Sequence, residues 1–417
     1  MSGKSTVEER VKTTTTQTGA LLVVGGGIGG LSAGLALARA GQDVWVFEKA
    51  HEFREIGAGL QLGPNAVRVL DWLGVYDALS EVAFFPHRLV LLDAIAEREL
   101  GVLDLGESFR AHFGYPYLVA HRSDLLDVLL QACKDSERVH LLPNHTVERV
   151  ENIPGGARVV CDNGNEFIGK AVIAADGLWS ATRGLIHKDD PVCKGYVAYR
   201  GTLPIEQATE HPWLDDVVMW IGPGMHFVQY PIRRGELYNQ VAVFESSRFL
   251  NGEPEWGTPE ELFEHFSMCA PRVKEALRNI HTDRHWVMND REPIPNWTDG
   301  RITLLGDAAH PMYQYMAQGA CQAIEDAACL AEAVKDFTPD MEKAFALYQQ
   351  QRIPRTSRIQ TSVRVWGDII HTRDATAVLL RNTILSNRAP DDFQYVEWIY
   401  GFNPLQSPAT TQTADTV

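Results

Sequence analysis

The sequence predicts an α/β fold: a Rossmann-type domain that carries an inserted antiparallel sheet and is followed by C-terminal helices. Three observations predict it. A short apolar run, Leu21–Val24, leads through a glycine-rich turn into a helix and a second strand. Strand-like sequence with frequent turn residues dominates between residues 193 and 289. Helical sequence then runs from residue 320 to about residue 385.

Length and composition narrow the class of protein. The 417 residues are enough for two or three domains, and 45% apolar with 22% charged residues is ordinary for a globular protein. A formal net charge of −16 argues against nucleic acid and anionic membranes as partners. Six cysteines without a C-x-x-C pair, and a polar first segment without an apolar core, predict a cytoplasmic protein with no signal peptide.

The first element is the glycine turn. Gly25, Gly27 and Gly30 fit G-x-G-x-x-G between a strand and a helix, and Glu48 ends the next strand. In such a turn the first glycine permits the tight bend, the second admits a pyrophosphate, and the third lets helix and strand pack closely. A carboxylate at the position of Glu48 can bind ribose hydroxyls. The pattern predicts a dinucleotide site.

A membrane span is the alternative for this stretch. Positions 20–38 carry no charged side chain, but six of them are glycine. A dinucleotide turn explains those glycines and a span does not, so no membrane span is predicted.

Two further segments follow in the same region. The loop that contains Gly59 is punctuated by glycines and either is a simple connection or returns toward the middle of a long cofactor. Arg122 precedes a predicted helix, 125–133, with Ser123 or Asp124 as its N-cap. Arg122 is then either a surface arginine or a group that serves a phosphate or ribose.

Two more strand-to-turn sites follow. An apolar strand ends in Asp176-Gly177, and a later one ends in Gly306-Asp307. Gly319 begins a long predicted helix, where free N–H groups and the helix dipole favour a negatively charged ligand. His310, which follows Gly306-Asp307, is predicted to position this loop.

The remaining sequence defines the domain organisation. A hairpin is predicted over 87–104, four strands over 195–245 and one helix over 259–279. We therefore assign 18–86, 115–192 and 290–340 to the nucleotide domain, 87–114 and 193–289 to the inserted domain, and 341–400 to C-terminal helices. Residues 1–17 and 407–417 are predicted to be disordered.

The three ordered signatures resemble those of class A flavoprotein aromatic hydroxylases with the para-hydroxybenzoate hydroxylase fold. The resemblance spans about residues 18–400 and is closest to bacterial 3-hydroxybenzoate 6-hydroxylases, then to salicylate hydroxylases. It is carried by stretches such as 57–64, 121–125, 226–231, 239–246 and 306–311. It implies FAD as cofactor and NADH or NADPH as co-substrate. It also implies a homodimer.

The resemblance assigns roles to residues. For FAD it implies pyrophosphate contacts at Gly25, Gly27 and Gly30, and contacts from Glu48, Gly59, Arg122, Asp176, Asp307 and Gly319. It implies catalytic roles for His226, Tyr230 and Gln314, and oxygen delivery through a flavin C4a-hydroperoxide.

The carried-over catalytic residues make chemical sense. His226 and Tyr230 share one face of a strand, because side chains alternate with period two. A histidine near its reference pKa of about 6.5 can take a phenolic proton, and the phenolate activates its ortho and para carbons. Tyr230 can orient the substrate or the oxygen that is delivered, and Gln314 can hydrogen-bond the substrate. Met312–Met316 is predicted to form pocket wall, and Arg200 is a candidate partner for a substrate carboxylate.

The prediction is a monooxygenase that converts 3-hydroxybenzoate to gentisate with NAD(P)H and O2. Three alternatives stay open: the same chemistry on salicylate or an aminohydroxybenzoate, an NAD-dependent dehydrogenase, and a non-catalytic nucleotide-binding module. No metal site is predicted.

Overall fold

The computed structural model describes residues 14–16, 19–54, 57–208 and 212–406. Its strands are β1 Thr14–Thr16, β2 Leu21–Val24, β3 Val44–Phe47, β4 Gly59–Leu62, β5 Arg88–Asp93, β6 Arg98–Asp104, β7 Leu118–His121, β8 Val139–Leu142, β9 Val147–Ile153, β10 Gly156–Cys161, β11 Glu166–Gly169, β12 Ala171–Ala174, β13 Val192–Pro204, β14 Val217–Gly222, β15 Met225–Ile232, β16 Leu237–Glu245, β17 His285–Asp290, β18 Thr298–Asp299 and β19 Ile302–Leu304.

The α-helices are α1 Ile28–Arg39, α2 Pro64–Trp72, α3 Tyr76–Ser80, α4 Glu107–Phe113, α5 Arg122–Asp135, α6 Arg183–Ile186, α7 Ser247–Leu250, α8 Pro259–His265, α9 Pro271–Leu277, α10 Gly319–Phe337, α11 Met341–Ile370, α12 Ala375–Ser386 and α13 Gln394–Tyr400. Short 3₁₀ turns occur as well, of which Gly306–Ala308 and Gln314–Met316 lie next to predicted site residues.

A mostly parallel six-stranded sheet forms the Rossmann-type part, in the order β18-β19-β12-β2-β3-β8. Its central strand β2 is fully buried, because helices α1, α5 and α10 cover one face and the sheet of β9, β10 and β11 covers the other. The uncharged stretch 20–38 is therefore a strand, a turn and a helix. No helix of the described residues is long and apolar enough to cross a membrane.

The second large sheet has seven strands in the order β17-β13-β16-β15-β14-β5-β6, and all neighbours except β14 and β5 are antiparallel. Helices α8 and α9 pack on one face of it, and α11 with the 311–317 segment packs on the other. The predicted fold class, with its inserted antiparallel sheet and C-terminal helices, is confirmed.

Three local expectations were wrong. The predicted helix 259–279 is broken into α8 and α9, because Pro271 lacks the N–H that a continuous helix needs and instead starts a new helix. The N-cap of α5 is His121, whose ring nitrogen accepts the N–H of Ser123 at 3.2 Å, rather than Ser123 or Asp124.

The third correction concerns the N-terminal segment, predicted to be disordered over 1–17. Thr14–Thr16 forms β1, which pairs in parallel with β11. Threonine is β-branched and favours strand conformation, so this segment can add to the edge of the sheet. Residues 1–13, 17 and 407–417 of the predicted disordered ends lie outside the described residues.

Candidate active site

The glycine turn between β2 and α1 has three glycines in three different environments. Gly25 has a positive φ of 106°, and a Cβ atom there would lie 2.3 Å from the carbonyl oxygen of Ala175. A Cβ atom at Gly30 would lie 1.9 Å from the carbonyl oxygen of Gly25, whereas one at Gly27 would meet no protein atom within 4 Å. Gly25 and Gly30 are thus required by the backbone, and Gly27 faces space that a pyrophosphate can use.

Glu48, at the end of β3, is held against this turn. Its Oε2 accepts the N–H of Gly26 at 2.9 Å, and its Oε1 accepts the N–H of Ala50 at 2.9 Å. Each carboxylate oxygen retains a second lone pair. The carboxylate is therefore fixed where it can accept ribose hydroxyls.

Asp307 and Gly319 lie together at the carboxyl edge of the same sheet. A Cβ atom at Gly319, the first residue of the 19-residue helix α10, would lie 3.9 Å from Oδ1 of Asp307. Gly306 has a positive φ of 63°, so the chain turns sharply between β19 and Asp307. The turn and the helix N-terminus offer a hydroxyl acceptor and N–H donors side by side.

Asp176 lies against the glycine turn, 3.2 Å from a Cβ atom built at Gly25, whereas the contacts of Arg122 are with Gly57 and Ala58. The N–H of Arg122 donates to Ala58 at 3.1 Å, and a Cβ atom at Gly57 would lie 2.8 Å from Cδ of Arg122, so this arginine runs beneath the Gly59 loop. Burial raises the pKa of the Asp176 carboxyl, and Thr182 Oγ1 lies 3.4 Å from its Oδ2. Oδ1 of Asp176 is buried without a hydrogen-bond partner among the described residues.

The predicted substrate residues lie on one face of the seven-stranded sheet. Strand pairing places Arg200 beside Val241 and Val241 beside Val228, and it places Asn239 beside Tyr230. His226, Val228 and Tyr230 follow each other at every second position of β15. This face of β13, β15 and β16 is called the substrate face below.

The segment 312–316 and α11 cover the substrate face. Tyr315 meets the His226 ring edge-on, with ring centroids 5.3 Å apart. Gln314 Oε1 accepts the Nη2 hydrogen of Arg200 at 2.6 Å. Because an arginine only donates, this bond fixes the amide orientation and leaves the Nε2 group of Gln314 as the group it can offer to a ligand.

Tyr230 lies at the junction between the substrate face and the cofactor loops. A Cβ atom at Gly59 would lie 2.5 Å from Cε2 of Tyr230, and Gly59 donates its N–H to Asn239 Oδ1 at 2.7 Å. Burial raises the pKa of the Tyr230 hydroxyl, so this group stays protonated and can donate a hydrogen bond at neutral pH. Gly59 therefore packs on the substrate face itself.

Comparison with known proteins decides the family. The sequence model of the FAD binding domain matches residues 18–360. The 3-hydroxybenzoate 6-hydroxylase 1 of Aquipseudomonas alcaligenes is 40% identical over 387 residues, which cover 91% of this chain and 97% of that protein. The chain belongs to the FAD-dependent aromatic hydroxylases.

Other members of the family show how widely it varies. The 3-amino-4-hydroxybenzoate 2-monooxygenase of Streptomyces platensis is 33% identical and covers 92% of this chain and 96% of its own length. The crystal structure of a variant of Klebsiella pneumoniae HpxO with FAD has a TM-score of 0.79 at 26% identity, covering 89% of this chain and 95% of that one. The open space at Gly27, the fixed Glu48 carboxylate and the α10 N-terminus fit FAD, so this hydroxylase binds FAD and uses NAD(P)H as co-substrate.

The environment of His226 in this hydroxylase differs from the sequence expectation in one respect. The sequence leads us to expect a pKa near the ordinary histidine value of about 6.5, but burial lowers the pKa of His226 to about 3. The ring is 1% exposed, and its Nδ1 lies 2.8 Å from Nε2 of His371. In the absence of a ligand His226 is thus a neutral imidazole.

No sequence pattern indicates His371. It follows α11 directly, 145 residues from His226, and only the packing of α11 on the substrate face brings the two rings together. A second missed group can be read from the sequence. Glu325 and Asp326 interrupt an otherwise apolar run of α10, which indicates two buried carboxylates.

Glu325 and Asp326 belong to a buried ionic cluster. Arg352, 0% exposed, donates from Nη1 to Glu325 and from Nε to Asp326, both at 2.6 Å. Asp326 Oδ2 also accepts the N–H of Gly306 at 2.9 Å and lies 2.6 Å from Nε2 of His310. Asp326 thereby fixes the turn that carries Asp307, and His310 takes part in positioning that turn.

Proposed function

We propose that this hydroxylase converts 3-hydroxybenzoate to 2,5-dihydroxybenzoate (gentisate), using NAD(P)H and O2. The observation that carries the proposal is the substrate face, on which His226, Tyr230 and Arg200 lie together under Gln314. These groups match a phenol that must lose a proton and a carboxylate that needs a cation. The 40% identical relative from Aquipseudomonas alcaligenes is named for this reaction.

Proton removal is the step that we assign to His226. Its Nε2 takes the proton of the substrate hydroxyl, which leaves a phenolate whose charge enriches the carbons ortho and para to it. The phenolate oxygen then neutralises the new imidazolium, so no unpaired charge remains in the buried site. A proton acceptor placed in this way contributes about 10²- to 10⁴-fold to the rate.

Tyr230 and Gln314 orient the ring. Tyr230 donates its hydroxyl proton as a hydrogen bond, and Gln314 donates from Nε2 because Arg200 occupies its Oε1. When bound, FAD would supply the redox chemistry with NAD(P)H and O2, and Gly59 leaves the space in which the Tyr230 ring lies.

Arg200 is proposed to pair with the substrate carboxylate. Its guanidinium lies 5.3 Å from the centroid of the Trp286 ring and reaches Gln314, so it is stacked in place on the substrate face. An anionic substrate needs such a cation in a protein with a net charge of −16. In 3-hydroxybenzoate C6 lies para to the hydroxyl group, so a phenolate formed at His226 activates the carbon whose hydroxylation gives gentisate.

A second candidate is hydroxylation of an aminohydroxybenzoate, which the name of the Streptomyces platensis relative favours. Salicylate is a further substrate of the same class. The match to an FAD domain over residues 18–360 leaves no support for an NAD-dependent dehydrogenase.

The oligomeric state, the cellular location and the partners are also proposals. We infer a homodimer from the family resemblance, a cytoplasmic location and no nucleic-acid partner, with residues 87–114 and 193–289 as the substrate domain. Light scattering of the purified protein gives the mass in solution, and a mass near 46.5 kDa would rule out the dimer.

The test is consumption of NADH and of NADPH by the FAD-loaded protein, with and without each candidate acid, and identification of the product. Stimulated consumption with gentisate formed supports the proposal, whereas stimulation that yields only hydrogen peroxide marks 3-hydroxybenzoate as an effector. His226→Ala is expected to retain FAD and lose about 10²-fold or more of hydroxylation. The exposed His281→Ala serves as the matched control and is expected to keep full activity.

A further inference from the structure

A second buried histidine stands directly behind His226. His371 is 4% exposed, and its Nε2 lies 2.8 Å from Nδ1 of His226. The two rings are nearly parallel, at 16° with centroids 5.0 Å apart. So short a contact between two ring nitrogens is a hydrogen bond, and one of the two nitrogens must therefore carry a proton and the other must not.

His371 is held firmly in this position. Its backbone N–H donates to the carbonyl oxygen of Gly367 at 3.0 Å, and its backbone carbonyl accepts the N–H of Gly224 at 2.8 Å. Tyr196 stacks on its ring at 5.1 Å, and Tyr315 meets it edge-on at 5.1 Å. The ring can hardly turn without breaking this packing, so it fixes the plane and rotation of the His226 ring.

The proton on the shared hydrogen bond decides what His226 can do. If His226 Nδ1 carries it, Nε2 has a free lone pair and can accept a substrate proton. If Nε2 of His371 carries the shared proton, Nδ1 of His226 is the acceptor. The one ring hydrogen of neutral His226 is then on its own Nε2, which can only donate. Among the described residues none hydrogen-bonds to Nε2 of His226, so the tautomer of His226 follows from the direction of the bond to His371.

We propose that His371 is a positioning residue that accepts the Nδ1 hydrogen of His226 and so keeps Nε2 of His226 available as the proton acceptor. The inference rests on the proposed function in its choice of tautomer. When the substrate hydroxyl gives its proton to Nε2, the positive charge on His226 is shared with His371 through the Nδ1–H···Nε2 bond. A neutral imidazole thus takes the place that a carboxylate holds behind many catalytic histidines.

The surroundings explain why a neutral partner suits this place. Burial lowers the pKa of His371, and positive or ionisable neighbours disfavour a second charge there: His226, His265, Arg373 and Arg381. Arg373 itself pairs with Glu245 at 2.6 Å. Burial and these neighbours therefore disfavour two positive charges on the histidine pair, so the substrate proton adds one charge that the two rings share.

Two variants of His371 separate hydrogen bonding from packing. His371→Gln keeps an oxygen acceptor within reach of Nδ1, whereas His371→Phe keeps the flat ring that Tyr196 stacks on and removes the acceptor. We expect about 10- to 100-fold lower kcat for His371→Phe, as for other partners that orient a histidine, and a much smaller loss for His371→Gln. The absorbance of bound 3-hydroxybenzoate against pH should show phenolate formation shifted to higher pH in His371→Phe only.

A third measurement needs neither substrate nor turnover. The ¹⁵N shifts of histidine-labelled protein, assigned by comparison with His226→Ala, report which nitrogen of His226 carries the hydrogen. Protonated Nδ1 with bare Nε2 supports the proposal, and protonated Nε2 overturns it. Equal kcat and equal phenolate pH profiles for His371→Phe and the parent protein would overturn it as well. If the parent does not hydroxylate 3-hydroxybenzoate, the proposed function fails while the tautomer result still decides the inference.

Discussion

The glycine turn allows a sharp test, because a Cβ atom at Gly27 would meet open space whereas one at Gly30 would meet the backbone. Gly27 is the N-cap of α1 with φ −76° and ψ −174°, a conformation that alanine adopts freely, and its Cβ would meet no protein atom within 4 Å. Gly30 lies in the first turn of α1, and its Cβ would sit 1.9 Å from the carbonyl oxygen of Gly25. We compare Gly27→Ala with Gly30→Ala.

The expected magnitudes follow from these contacts. In Gly27→Ala the entropic gain of about 0.4–1 kcal/mol is offset by a similar loss of N-cap preference, so apoprotein stability should change by less than about 0.5 kcal/mol. The methyl group occupies the space that the pyrophosphate needs. Loss of about two charge-assisted hydrogen bonds corresponds to about 3 kcal/mol, or ~10²-fold weaker FAD binding.

Gly30→Ala is expected to behave differently. So close an approach to a backbone oxygen forces α1 away from the turn, and overpacking of this kind costs about 1–3 kcal/mol even before FAD is added. The free energy of unfolding of each apoprotein is measured by urea denaturation, and FAD affinity by quenching of flavin fluorescence. Parent-like FAD affinity in Gly27→Ala, or parent-like apoprotein stability in Gly30→Ala, would refute the reasoning.

Three further predictions concern the interior. Arg352→Met removes the cation between Glu325 and Asp326 and should lower the free energy of unfolding in urea by about 3–5 kcal/mol. Arg358→Met, on the exposed side of α11, loses a contact with the Trp398 ring and should lower the free energy of unfolding by no more than about 1 kcal/mol; equal effects would contradict the buried cluster. Folding excludes the charged form of His226, whose pKa falls from 6.5 to about 3, so its stability contribution is full above pH 6.5 and is lost as the pH falls toward 3. Between pH 7.5 and pH 5 urea denaturation should show a loss of about 2 kcal/mol from this residue, and a His226→Phe variant with an unchanged pH slope would refute it. Gly59→Ala would place a Cβ atom 2.5 Å from the Tyr230 ring and should lower kcat/KM for hydroxylation about 10- to 100-fold with FAD retained, while Gly184→Ala, which meets no atom within 4 Å, should not.

Local signals account for most of the framework. The strand, turn and helix around Gly25 are encoded in one short continuous stretch, and the sequence predicts β15 and β16 with the bounds that the structure has. Alternation with period two also places His226 and Tyr230 on one face without knowledge of the sheet. Such features depend on neighbours in the sequence, which is why they can be predicted from it.

Features that depend on packing between distant parts of the chain cannot be predicted from local sequence. The bond between His226 and His371 joins residues 145 positions apart, and the low pKa of His226 follows from burial that no local pattern reveals. The role of Gly59 is similar, since the glycine-punctuated loop is visible in the sequence but its contact with Tyr230 joins distant parts of the chain. Local sequence indicates which groups are chemically able to act, and the tertiary structure sets their state.

The contacts between the two large sheets explain how one site is assembled from both. Gln314 on the cofactor side bonds Arg200 on the substrate face at 2.6 Å, and Gly59 on the cofactor side bonds Asn239 on the substrate face at 2.7 Å. One bond starts from a short 3₁₀ turn and the other from the first residue of β4, and both end on strands of the inserted sheet. Arg200 lies in the same cross-strand row as Val241 and Val228, whereas Asn239 lies in the next row beside Tyr230, so the two bonds hold the substrate face at two separate points. Under the proposed function an aromatic ring on that face would be oriented by these contacts, so a change that loosens either bond should impair substrate binding and coupling of NAD(P)H use to hydroxylation together.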